Sequence, residues 1–123
     1  MNMSGFKELE IYQMAFDLAL KLHKATLLLP KFELFEQGGQ ARRSSKGIKD
    51  TIAEGYGRRR YKQEYIRYLT YAQASCDETH SQLDMMILLY PEIKEFPDLR
   101  DSYILLGKKI NNYIQYVEEK WRN

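Results

Sequence analysis

The sequence predicts an all-α protein, an antiparallel up-down-up-down four-helix bundle occupying residues 1–123 as a single domain. Three observations predict it. Apolar residues recur at alternating four- and three-residue steps along four long stretches, the pattern of a helix that buries one face. Glycine and proline number 7 and 3 in 123 residues, too few for the turns of a β-sandwich or barrel. Hydrophobic residues make up 44% and charged residues 29%, which suits one ordinary core and argues against disorder.

The first helix is predicted over residues 7–29. Ile11, Ala15, Leu18, Leu22, Ala25 and Leu29 form its stripe, which Tyr12, Phe16 and Ala19 widen. Pro30 stops it, since proline lacks the N–H that a helix interior needs. The second helix is predicted over 33–55, with Ala41, Ile48, Ile52 and Ala53 facing inward and Gly55 and Gly57 as the C-terminal cap. Gly47 in its middle costs about 1 kcal/mol relative to alanine, and Gly38-Gly39 weakens its first turns. Either another helix packs closely there, or the first turn frays and the helix starts near Gln40. The third helix, over 61–90, carries Tyr65, Leu69, Ala72, Cys76, Thr79, Leu83, Met86 and Tyr90 without a break and ends at Pro91. The fourth, over 98–121, carries Leu99, Tyr103, Leu106, Ile110, Tyr113 and Val117, with Asp98 as its N-cap and Trp121 near its end. Cys76, Leu83, Leu106 and Ile110 are expected to meet in the core.

The longest apolar runs, 27–29 and 85–90, fall far below the ~20 residues that span a bilayer, so no membrane helix is expected. Lys7, Glu8 and Glu10 precede any apolar stretch, unlike a secretory signal, and the expected compartment is the cytoplasm. A single cysteine, Cys76, excludes an intrachain disulfide.

The formal net charge is +2 and the pI about 8.6, which alone indicates no partner. Its distribution is more informative. Arg42, Arg43, Lys46, Lys49, Arg58, Arg59, Arg60 and Lys62 face only Asp50 and Glu54 within residues 42–62, a local +6 in a chain that is otherwise −4. Such concentration is expected where one surface meets an anion, although solvated helix faces also carry it. Arg42, Lys46 and Lys49 share one helix face, with Arg43 and Asp50 on the next, while Ile48 and Ile52 point away. The Gly57–Lys62 turn interleaves four cations with Tyr61, and Tyr56 and Tyr65 flank it. Guanidinium forks match phosphate oxygens, and the rings of Tyr56 and Tyr61 are candidate platforms for unpaired bases. Two competing roles are structural: Glu54 is placed to pair with Arg58 at i+4, and the 10 tyrosines with Trp121 suit subunit contacts.

Several segments in order carry a family resemblance: 6–15 (FKELEIYQMA), 29–33 (LPKFE), 40–45 (QARRSS), 52–58 (IAEGYGR) and 74–78 (ASCDE). They resemble the four-helix-bundle proteins encoded in intervening sequences of bacterial large-subunit rRNA genes, over nearly the whole chain. Gly47 and Thr51 stand where that family usually has Ser and Asn, and Ala74 and Cys76 where it has Gly and Leu. The resemblance implies a bundle that associates with itself into a five-membered ring. The family is in turn similar to Avd, the accessory variability determinant of diversity-generating retroelements, a basic ring that partners a reverse transcriptase and binds nucleic acid. RNA, DNA or a reverse transcriptase are therefore the partners this likeness suggests, beside the chain itself.

Enzymatic chemistry finds no foothold. Asp77-x-x-His80 occurs once, whereas a di-iron bundle needs such a motif on two helices and further glutamates on the others. Cys76 lies on a core stripe, where cysteine serves as a small hydrophobe. Gly55-Tyr56-Gly57 lacks the third glycine and preceding strand of a phosphate loop. No catalytic residue, metal or cofactor is expected. Two readings remain: a non-catalytic homo-oligomer presenting its basic segment to nucleic acid or to a nucleic-acid-processing partner, and a scaffold whose Arg42, Arg43 and Glu54 form ion pairs between subunits.

Overall fold

The apolar stripes become helices, with one break between the first two that the stripes do not mark. The structure, a computed structural model describing residues 5–122, contains α1 (Glu10–Thr26), α2 (Lys31–Phe35), α3 (Gln37–Gly57), α4 (Lys62–Leu89) and α5 (Glu95–Lys120), preceded by a 3-10 turn at Phe6–Glu8. No strand occurs among the described residues. The four long helices make the bundle: α1 packs on α3, α3 on α4, α4 on α5, and α5 returns to α1. Contacts between neighbours run in opposite order. Lys62, Gln73 and Cys76 of α4 donate to the carbonyls of Glu118, Gly107 and Tyr103 of α5, and Lys109 of α5 reaches Glu10 at the start of α1.

Three expected boundaries are corrected, and with them the glycine cap: Gly55 and Gly57 lie inside α3, neither with a positive φ, and the C-cap is Arg58. The first helix begins at Glu10, not residue 7, because the Phe6–Glu8 turn ends in extended backbone at Leu9. The stretch expected as one helix over 33–55 is two, parted at Glu36, whose φ and ψ of −93° and −93° are not helical. Asp98 is not the N-cap of the last helix, which starts at Glu95. Pro97 then falls in the first turn, where a missing N–H breaks no helical bond.

The first turn of α3 is closely packed. A Cβ on Gly38 would stand 3.0 Å from Leu29 Cδ1 and 3.1 Å from the Glu33 carbonyl oxygen. Gly38 is thus a place of close approach, not of fraying, and α3 is helical from Gln37. The buried Glu33 carboxylate accepts a hydrogen bond from the Tyr90 hydroxyl at 3.1 Å, which ties α2 to the end of α4.

The core contains the residues the stripes nominate. Cys76, Leu83, Leu106 and Ile110 are all buried in one cluster with Ile11, Leu22, Ile52, Tyr65 and Phe96. Burial pushes the Cys76 thiol up to about 12, and its Sγ donates to the Tyr103 carbonyl at 3.3 Å. Phe16 is a departure: 42% exposed, it lies outside the core stripe it was expected to widen.

Two glycines of α3 should respond oppositely to the same substitution. A Cβ at Gly47 would meet nothing within 4 Å, so Gly47→Ala is expected to stabilise the fold by about 1 kcal/mol through helix propensity alone. At Gly55 it would stand 2.8 Å from Tyr68 Cβ, an atom fixed to the α4 backbone. Gly55→Ala should therefore force α3 and α4 apart and lower the midpoint of denaturant unfolding, the same measurement in which Gly47→Ala raises it.

Candidate nucleic-acid interface

The basic segment does not act as one block, because packing gives its members different tasks. Arg42 turns inward: its Nη1 donates to Thr26 Oγ1 at 2.9 Å and its Nη2 to the Leu34 carbonyl at 2.8 Å. It joins the end of α1 to α2 and leaves the phosphate-facing set to which the sequence assigned it. Lys49 contacts Asp50 at 2.6 Å and keeps only 22% of its side chain exposed. Arg43 and Lys46 are exposed on α3. The neighbouring Ser44 also joins helices, since its Oγ lies 2.8 Å from Thr79 Oγ1 of α4 in a buried hydrogen bond.

At the turn between α3 and α4, three consecutive arginines are exposed and each guanidinium lies over a ring. Arg59 lies 4.0 Å from the Tyr56 centroid, Arg58 4.7 Å from Tyr68, and Arg60 5.8 Å from Tyr61. A ring orients a guanidinium and leaves its charge intact, whereas a carboxylate would neutralise it. The carboxylate that does approach is Glu64, 3.7 Å from Arg58. Glu64, not the expected Glu54, is thus the partner of Arg58. Arg59 is further held by donating to the Tyr56 carbonyl at 2.9 Å, and its own carbonyl accepts from Trp121 Nε1 at 3.2 Å. Lys62 is engaged with the Glu118 carbonyl at 2.7 Å.

Tyr56 is corrected as a stacking platform. Its ring is 6% exposed, edge-on to Tyr65 and covered by Arg59, so no face is left for a base. Tyr61 is 62% exposed and keeps that capacity. Tyr65, the other flanking ring, is fully buried and hydrogen-bonded to the Tyr113 hydroxyl at 2.7 Å; burial and that bond hold its phenol well above the usual tyrosine range.

Residues 7–112 match the family model described as 23S rRNA-intervening sequence protein. The chain belongs to this family. No curated protein matches its sequence. The matched span covers α1, α2, α3 and α4 whole and most of α5, so the family segments at 40–45 and 52–58 can be read in place. In this intervening-sequence protein they hold the inward Arg42, the buried Ser44 and the tightly packed Gly55, all of which join helices.

Elsewhere, His80 pairs with Asp84 at 3.5 Å, and no group of three or more His, Cys, Asp or Glu side chains comes together among the described residues. No helix there is long and apolar enough to cross a membrane.

Proposed function

We propose that this intervening-sequence protein is a non-catalytic homo-oligomer that presents the Arg58–Arg60 turn, with Arg43 and Lys46, to the phosphates of RNA or DNA. The observation that carries the reading is the ring-supported arginine triplet: three exposed guanidinium groups at one turn, oriented by Tyr56, Tyr68 and Tyr61 and, among the described residues, approached by the Glu64 carboxylate at Arg58. A single protomer offers few phosphate contacts and binds weakly at physiological salt; repetition in an oligomer raises avidity with no new contact. The resemblance to the intervening-sequence family suggests a five-membered ring, the similarity of that family to Avd suggests a reverse transcriptase partner, and a cytoplasmic location fits both. The test is retention of single- and double-stranded RNA and DNA by the purified protein across a salt series. Affinity should fall linearly on logarithmic axes, by about 0.9 per neutralised phosphate on duplex and about 0.7 on single strands. No retention at low salt would reject the reading.

Self-association has its own support. Leu27, Leu28, Phe32, Phe35, Leu88 and Leu89 are each at least half exposed, and they lie just after α1, on α2 and at the end of α4, segments brought together by the Arg42 bridge between Thr26 and Leu34 and by the Glu33–Tyr90 bond. Apolar surface gathered at one end of a bundle suits a subunit contact. The sedimentation mass at micromolar concentration should exceed one protomer, and Phe32→Glu with Leu88→Glu should reduce it; a protomer mass for the wild type contradicts the proposal.

A further inference from the structure

We infer that the groove between α1 and α3 is a stacking site for an unpaired nucleobase, which lies on Phe16 while Lys46 and Lys49 hold its phosphate; this rests on the nucleic-acid reading above. The groove encloses about 450 Å³ and is lined by Phe16, Ala19, Leu20, His23, Lys46 and Lys49. Its apolar floor is exposed, with Phe16 at 42% and Leu20 at 50%, although both stand on a helix that buries other apolar residues around them.

Charge distinguishes this groove from the one on the other side of α1. There, Lys21 and Lys24 are balanced by Glu95 and Asp98; here the charged lining is lysine alone, with Asp50 attached to Lys49 from outside. Lys49 Nζ lies over the Phe16 ring, 5.5 Å from its centroid, and contacts Asp50 at 2.6 Å, so a base that takes this ring face displaces the ammonium toward its own phosphate. Burial, Lys46 and Arg42 lower the His23 pKa, so its imidazole is neutral at pH 7 and offers one donor and one acceptor to a base edge.

Charge favours a nucleotide over an apolar protein helix: Phe16 and Leu20, one turn or about 6 Å apart along the axis, share the groove with Lys46 and Lys49. Beyond Phe16 a second depression continues past Tyr12, whose ring lies 6.0 Å away, to Gln13 and Lys7. An unpaired strand laid there meets rings and cations in succession.

The experiment uses the full chain with a single-stranded oligouridine carrying one 5-iodouracil, photocross-linked and mapped by mass spectrometry, beside binding of that strand and of duplex. The cross-link is expected in the peptide containing Phe16. Phe16→Leu, which keeps the bulk and removes the ring, should weaken the single strand at least about fivefold, the low end of one stacked base, and leave duplex affinity unchanged; Phe16→Tyr should restore it. A cross-link elsewhere with unaltered Phe16→Leu binding overturns this inference and leaves the phosphate reading standing. A fall in sedimentation mass for Phe16→Leu overturns it by making the groove a subunit contact. Failure of the wild type to bind any nucleic acid removes both.

Discussion

Replacing Leu106 with alanine is expected to destabilise the fold by about 2–5 kcal/mol, because deleting a buried side chain loses its transfer energy and leaves a cavity. Leu106 is fully buried in the cluster that holds Cys76, Leu83 and Ile110. Its neighbours on the helix leave little room for collapse: Tyr103 at i−3 and Ile110 at i+4 are themselves buried and attached to the same rigid α5. Chemical denaturation at several protein concentrations checks the value, since subunit association adds a concentration-dependent contribution. A change within about 0.5 kcal/mol, the range of ordinary surface substitutions, would mean that α5 turns another face inward.

Reversing Arg58, Arg59 and Arg60 to glutamate should abolish nucleic-acid retention, since the change removes three cations and adds three anions per protomer at one turn. Helicity and oligomer mass should stay intact. The Arg58–Glu64 contact is exposed, and pairs of that kind contribute at most about 1 kcal/mol. Arg59 is the exception within the triplet, because it also donates to the Tyr56 carbonyl. Arg60→Glu alone, which among the described residues disturbs the Tyr61 contact, separates charge from structure: it should weaken binding and make its salt dependence shallower without changing the unfolding midpoint. If the triple variant instead breaks the oligomer while the wild type binds no nucleic acid, the arginines are scaffold residues.

The four bundle helices were legible because burial imposes the period of the helix on the sequence. Ile11, Ala15, Leu18, Leu22, Ala25 and Leu29 are all buried, as are Leu99, Tyr103, Leu106, Ile110 and Val117. The break at Glu36 was not legible, since no proline stands between Lys31 and Gly57 to mark it; the close approach of Leu29 and the Glu33 carbonyl to Gly38 is likewise a product of packing. Only part of the candidate site was readable. The arginine triplet is exposed as its charge implied, but helical spacing could not reveal that Arg42 finds Thr26 Oγ1 and the Leu34 carbonyl, acceptors supplied by other helices. Tyr56 and Phe16 exchanged expected roles for the same reason. A tyrosine beside a basic turn and a phenylalanine on an apolar stripe suggest an outer and an inner ring, and packing places them the other way round.

The bundle is chemically polar along its length: the arginine turn caps one end and the exposed leucines and phenylalanines the other. Helix α4 links the two ends with 28 residues, a separation of about 40 Å at the rise of an α-helix. The Debye length at physiological ionic strength is about 8 Å, so the two ends are electrostatically deaf to each other. On the proposed reading, ionic strength would load and unload an anionic ligand without loosening the assembly, and a change in the apolar contacts would alter how many basic turns are displayed together without altering what each one binds.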